Sequence, residues 1–185
     1  MTDTAPAYQN KLVFVGHVGA GKTTAIGAIC DGEPVSTEMP MDEAVDGKRT
    51  STMALDYASV ELGDGELLHV YGVPGQRYLD FMWPIVCEGA MGIVVLANAA
   101  EPDAGVDLPE MLSEFSQLAP DASFVVGITH GDQVPDFHLA DVRERLLARG
   151  YAAPVLQVDA RDAVQVELLV RTLLGYRFTG DRLPG

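Results

Sequence analysis

Helices and strands that alternate along 185 residues predict an α/β domain, with a mostly parallel six-stranded sheet, helices on both faces and one antiparallel strand at the edge. Three observations carry that expectation. Short apolar runs such as "KLVFVG", "MGIVVLAN" and "SFVVGIT" read as buried strands. Segments with helical spacing of apolar residues stand between them. Two β-rich runs flank Gly63-Asp64-Gly65, and Asp-Gly between such runs is a hairpin signal.

The first strand is expected over 11–16 and a helix over 22–30. The stretch 31–51, "DGEPVSTEMPMDEAVDGKRTS", lacks an apolar period and is rich in turn formers, so it reads as a long functional loop. "TMALDYASVEL" and "ELLHVYG" form the hairpin. Residues 78–88 read as helical despite Pro84. "DLPEMLSEFSQLA" spaces Leu108, Met111, Leu112, Phe115 and Leu118 along one helical face. A charged amphipathic helix follows over 139–149, then a short strand in "APVLQV". "DAVQVELLVRTLLG" is a last helix that Gly175 is expected to stop. The domain organisation read from this is a polar N-terminus over 1–10, one domain over 11–175 and a tail over 176–185.

Composition narrows the class of function. The length suits one full core. The net charge of −15 argues against nucleic acid and against anionic membrane as default partners, and the 12 Lys and Arg form no patch. No signal-peptide core, lipidation motif or span-length apolar run is visible, which points to a cytoplasmic protein without a stable membrane anchor. Cys30 and Cys87 sit in apolar settings without metal spacing and read as reduced core residues. Nine arginines against three lysines, with abundant Ala, Gly and Val, hint at a GC-rich and bacterial source.

The strongest motif is "GHVGAGKTT". It fits G-x-x-x-x-G-K-[ST] from Gly16 to Thr23, after a strand and before a helix. Gly16, Gly19 and Gly21, with Val18 and Ala20 between them, form a loop whose backbone N–H groups turn toward phosphate oxygens at a helix N-terminus. Lys22 is placed to hold the β- and γ-phosphates. Thr23 is placed to ligate Mg²⁺, with Thr24 following.

Farther on, "THGDQ" from Thr129 follows a core strand and "VDARD" follows the last one. With the phosphate loop, their order and spacing resemble the guanine-reading motifs of Ras-like small GTPases, over roughly residues 11–175. The resemblance implies a P-loop NTPase fold of the Ras-like type, GTP and GDP as bound nucleotides, and Mg²⁺. Asp132 takes the place of the aspartate that accepts hydrogens from the guanine N1–H and 2-amino group. Ala160 takes that of the alanine whose N–H meets the guanine O6, followed by Arg161. Thr129 stands where asparagine is usual and His130 where lysine is usual, which implies weaker base locking and an imidazole stacked on the base. "TMALDY" resembles a switch I segment, with Thr52 as the threonine that touches Mg²⁺ and Thr50 as its rival. "LHVYGVPGQ" and "THGDQ" look most like the bacterial Ras-like GTPases of the gliding-motility and Streptomyces conservon groups. That likeness implies a roadblock/LC7-type regulator, and a histidine-kinase-like protein beside it, as partners.

The segment "HVYGVPGQRY" departs from the family. The aspartate that normally ends the strand before this switch falls at Gly72. Gly75 is kept as the expected γ-phosphate sensor, and Gln76 as the glutamine that orients attacking water. Arg49 and Arg77 are candidate arginines to offset developing charge. Val18 puts branched bulk where many relatives carry Gly, so slow hydrolysis is expected. Gly72, Val18 and Thr129 also fit an alternative in which the chain holds nucleotide and does not turn it over. A P-loop kinase is a third reading, and 100–135 lacks the arginines that a kinase lid needs. Phe81 and Trp83 read equally as core or as a partner surface.

Overall fold

The computed structural model describes residues 10–30, 32, 35–40, 52–73, 77–101 and 107–179. In chain order these form β1 (Lys11–Val15), α1 (Lys22–Ile29), β2 (Val35–Pro40), β3 (Thr52–Gly63), β4 (Glu66–Gly72), a 3-10 helix (Arg77–Met82), α2 (Trp83–Cys87), β5 (Gly92–Asn98), α3 (Leu108–Leu118), β6 (Ser123–Thr129), a short 3-10 turn (Gly131–Gln133), α4 (Leu139–Ala148), β7 (Val155–Gln157) and α5 (Ala163–Thr179).

The strands form one sheet in the order β2-β3-β4-β1-β5-β6-β7. β4, β1, β5, β6 and β7 pair in parallel, while β3 runs antiparallel to both of its neighbours. The α/β class and the mostly parallel sheet are as the sequence predicts. Two details differ. The sheet has seven strands rather than six, because Val35–Pro40 inside the expected loop adds β2. The antiparallel strand is therefore not at the edge, since β2 pairs along its outer side from Val35↔Tyr57 to Pro40↔Thr52. A strand of "VSTEMP" has no clean alternation to reveal it, and the long neighbouring strand templates it.

Each face of the sheet is buried by helices. Leu12, Phe14, Ala58, Leu68 and Val70 lie with α1 and α5 in one cluster. Val13, Val15, Ile93, Val95 and Phe124 lie with α2, α3 and α4 in the other. The alternation along β1 divides it between the two faces, because successive strand residues point to opposite sides.

Three local expectations are corrected. Residues 77–87 split into a 3-10 helix and a short α-helix instead of one helix, with Pro84 tolerated in the first turn of α2, where its missing N–H is no loss. Gly175 does not end α5, which runs to Thr179. Side chains beyond the glycine anchor it: Tyr176 Oη donates to Ala152 O, and Arg177 Nη1 donates to Met91 O and Asp121 O. Cys87 is buried as expected, whereas Cys30 is only half-buried, and both are free thiols. Burial pushes the Cys87 thiol up to about 11.

Trp83 is core, 4.9 Å from the Phe115 ring, and Phe81 is exposed. No helix among the described residues is long and apolar enough to cross a membrane.

Candidate functional site

The carboxyl ends of β1, β5 and β6 lie along one edge of the sheet. In open α/β sheets that edge is where ligands bind, at the point where the crossovers leave a central strand in opposite directions. β1 is that strand here, with β4 on one side and β5 on the other. Residues 16–21 leave β1 at this point and enter α1.

The loop is fixed by close contacts. A Cβ on Gly16 would stand 2.2 Å from Leu96 O, so only glycine lets β1 turn so near to β5. Gly21 caps α1 in the left-handed conformation, and Ala25 N donates to its carbonyl at 2.8 Å. Asn98 Nδ2 donates to Gly19 O at 3.3 Å. Ala20 is buried, and Val18 is 62% exposed at the loop tip.

Lys22 opens α1 and folds back over the loop. Its Nζ donates to Gly16 O at 2.6 Å and to His17 O at 2.8 Å. Burial lowers the Lys22 pKa to about 8, although the nearby Asp56 pulls it up. Thr23 Oγ1 donates to Asp56 Oδ2.

Asp56 is the residue that the sequence reading missed. β3 runs antiparallel, so its beginning lies beside the end of β4, and Asp56 pairs with Gly72. A Cβ on Gly72 would meet Asp56 Cβ at 3.0 Å and Asp56 Oδ2 at 3.3 Å. The Asp56 carboxylate thus occupies the space that an aspartate at position 72 would need. A signal was present, since Asp56 is the single charged residue in the apolar stretch "MALDYASV". Its pairing partner was not readable. The two-residue turn counted from Gly63↔Glu66 would set Tyr57 opposite Gly72, and an irregularity between Glu61 and Gly63 shifts the register by one.

A second group closes the other end of the cleft. A pocket of about 170 Å³ is lined by Gly21, Thr24, Thr129, His130, Asp132, Gln133, Asp159, Ala160 and Arg161. Sequence-distant segments meet here, and a Cβ on Gly21 would stand 3.0 Å from Ala160 Cβ. Thr129 is 1% exposed, and its Oγ1 lies 3.0 Å from Ala20 O and 3.3 Å from Ala97 O. Its hydroxyl therefore ties the 16–21 loop to β5 and β6. The same hydroxyl oxygen lies 3.0 Å from His130 Nδ1. His130 adopts the left-handed conformation with φ 57°.

Asp159 is tied to Arg161 by three hydrogen bonds. Arg161 N and Nε donate to Oδ1, each at 2.9 Å, and Nη2 donates to Oδ2 at 2.7 Å. Those bonds hold the Asp159 carboxyl at about 2, below the usual carboxylate range.

The remaining expected site residues divide as follows. Thr52 opens β3 and Arg77 opens the 3-10 helix, with side chains outside the described ones. Arg49, Thr50, Gly75 and Gln76 lie outside the described residues. Among the described residues, no three His, Cys, Asp or Glu side chains cluster as a metal site. The oxygen pair Thr23–Asp56 beside a phosphate-type loop is instead the donor chemistry of a hard cation that completes its shell with phosphates and water. No protein-family model matches the chain, and no curated protein matches it.

Proposed function

We propose that this chain is a guanine-nucleotide switch of the Ras-like type, cycling between GTP and GDP with slow hydrolysis. One observation carries the reading. Lys22, Thr23 and Asp56 stand at one end of a cleft, Asp132, Ala160 and Arg161 stand at the other, and Thr129 hydrogen-bonds the loop between them. A phosphate tail and a purine base need these two chemistries at the two ends of one site.

The residues act as follows. Lys22 turns its ammonium from the loop carbonyls to the β- and γ-phosphates, and the loop N–H groups and the α1 dipole hold the phosphate charge. Thr23, the switch residue Thr52 and, through a water, Asp56 would hold Mg²⁺, which when bound neutralises phosphate oxygens. Asp132 accepts from the guanine N1–H and 2-amino group, a pair that adenine does not offer. Ala160 N–H donates to the guanine O6. Gln76 orients a water for in-line attack on the γ-phosphorus, the bond to the β–γ bridging oxygen breaks, and the water proton leaves with the phosphate. Arg49 and Arg77 are the candidate charge-stabilising arginines within the chain.

Asp56 changes what Gly72 implies. The carboxylate missing from β4 is offered from β3, so the departure at Gly72 does not by itself argue for a silent enzyme. Val18 still does. Its exposed branched side chain stands at the loop tip, where the γ-phosphate, water and Gln76 must fit, and this favours the second reading of a nucleotide-holding scaffold without significant turnover. A cytoplasmic location, a roadblock/LC7-type regulator and a histidine-kinase-like partner belong to the same proposal. The nucleotide released on denaturing the purified protein tests the reading, with guanine nucleotide expected and bound adenine nucleotide overturning the role of Asp132. Single-turnover phosphate release with Mg²⁺, alone and with a roadblock-type protein, separates the switch from the scaffold.

A further inference from the structure

The base pocket holds two carboxylates, Asp132 and Asp159, and one guanidinium, that of Arg161. They are not equivalent. Asp159 is committed to Arg161 through both of its oxygens. Asp132 is exposed and accepts no hydrogen bond from another described residue. Its charge nevertheless acts on Arg161.

Turn-making accounts for only one of the three bonds to Asp159, the one from Arg161 N to Oδ1, and leaves those from Arg161 Nε and Nη2 unexplained. The helix cap of α5 is supplied by Asp162, whose Oδ1 accepts from Val164 N at 2.9 Å and whose Oδ2 accepts from Gln165 Nε2 at 2.9 Å. Gln165 Oε1 in turn accepts from Asp159 N at 2.9 Å. The α5 N-terminus is thus satisfied without the Asp159 carboxylate. Arg161 itself has a side chain 76% exposed, so without a clamp it would sweep the rim of the pocket.

We propose that Asp159 is a positioning residue that determines base specificity: it clamps the Arg161 guanidinium away from Asp132 and so leaves the Asp132 carboxylate free to accept from the donor edge of the base. The proposal rests on the guanine-nucleotide reading. A freed Arg161 is a five-donor fork whose preferred partner is a carboxylate, and the nearest uncommitted one in the pocket is Asp132. An ion pair there would spend the oxygens that read the base.

The test is epistasis, read by competition against a fluorescent GDP. Asp159→Ala is expected to weaken GDP binding about tenfold, the worth of a charge-assisted hydrogen bond. Arg161→Ala takes the guanidinium off the pocket rim and sets the reference level of GDP binding without it. The double variant is expected to return to the Arg161→Ala level, because no guanidinium remains to block Asp132. Pyrophosphate, which engages only the phosphate loop, is expected to compete equally in every variant. A double variant as weak as Asp159→Ala, an unaffected Asp159→Ala, or a parallel loss of pyrophosphate competition overturns the clamp while GDP binding by the wild type leaves the guanine-nucleotide reading standing. A wild type that binds no GDP overturns both.

Discussion

Replacing Gly72 by Asp restores the residue that Ras-like switches usually carry, and here it is expected to be harmful. The new Cβ would lie 2.8 Å from Ile26 Cδ1, 3.0 Å from Asp56 Cβ and 3.3 Å from Asp56 Oδ2. The Ile26 methyl is the free end of a side chain and can yield. The charge cannot. Two carboxylates roughly 4 Å apart at an effective dielectric constant near 20 repel by about 4 kcal/mol. Protonating one of them at pH 7 costs about 4 kcal/mol as well, so relief by titration is no easier. Asp56→Ala alone removes the acceptor of the Thr23 hydroxyl and costs about 1 kcal/mol, since Thr23 is exposed and water can replace the bond. Independent sites would put the double variant about 5 kcal/mol below wild type. Because the repulsion disappears with Asp56, about 1–2 kcal/mol is expected instead, a coupling of about 3 kcal/mol. Urea unfolding of the four proteins measures this. Additivity within about 0.5 kcal/mol would refute the shared space of Asp56 and Gly72. The Mg²⁺ concentration that slows GDP release should rise in Asp56→Ala and fall back in the double variant.

The ligand-free protein should become more stable between about pH 8 and pH 10.5 through Lys22. Its folded pKa of about 8 lies below the ordinary 10.5, so the unfolded chain binds more protons in that window. The difference in unfolding free energy between wild type and Lys22→Met should carry that slope, and a flat difference would reject it. Thr129→Val deletes a hydroxyl bonded to Ala20 O in a buried site and should cost about 1–3 kcal/mol in urea unfolding, with Thr129→Ser recovering part. Trp83, the only tryptophan, is packed on Phe115 and follows the 3-10 helix of residues 77–82. Exchange of GDP for a non-hydrolysable GTP analogue should shift its emission, and an unchanged spectrum would disconnect α2 from the nucleotide state.

The glycine-rich turn over 16–21 was legible because a few local rules fix it. Gly16 must pass under Leu96 O, Gly21 must turn left-handed, and Lys22 and Thr23 must open the helix. The core strands were legible because β1, β5 and β6 are buried on both faces and read as continuous apolar runs. β2 was hidden because an outer strand need satisfy only one neighbour. The end of α5 was misread because Gly175 is a local stop signal that Tyr176 and Arg177 override through distant carbonyls.

By itself the sequence determined an α/β chain with a glycine-rich turn between β1 and α1, and it marked the two later segments at 129–133 and 158–162, since each of these is written within a few consecutive residues. The tertiary structure decided which carboxylate stands beside Thr23 and which one binds Arg161 in the pocket at the other end of the cleft. Asp56 reaches Thr23 because an irregularity at the far end of the hairpin shifts β3 by one residue, and a one-residue shift turns every side chain to the other face. Asp159 rather than Asp132 binds Arg161 because Asp159 and Arg161 sit within three residues of each other after β7. The first outcome depends on a pairing between segments that composition and spacing leave unspecified.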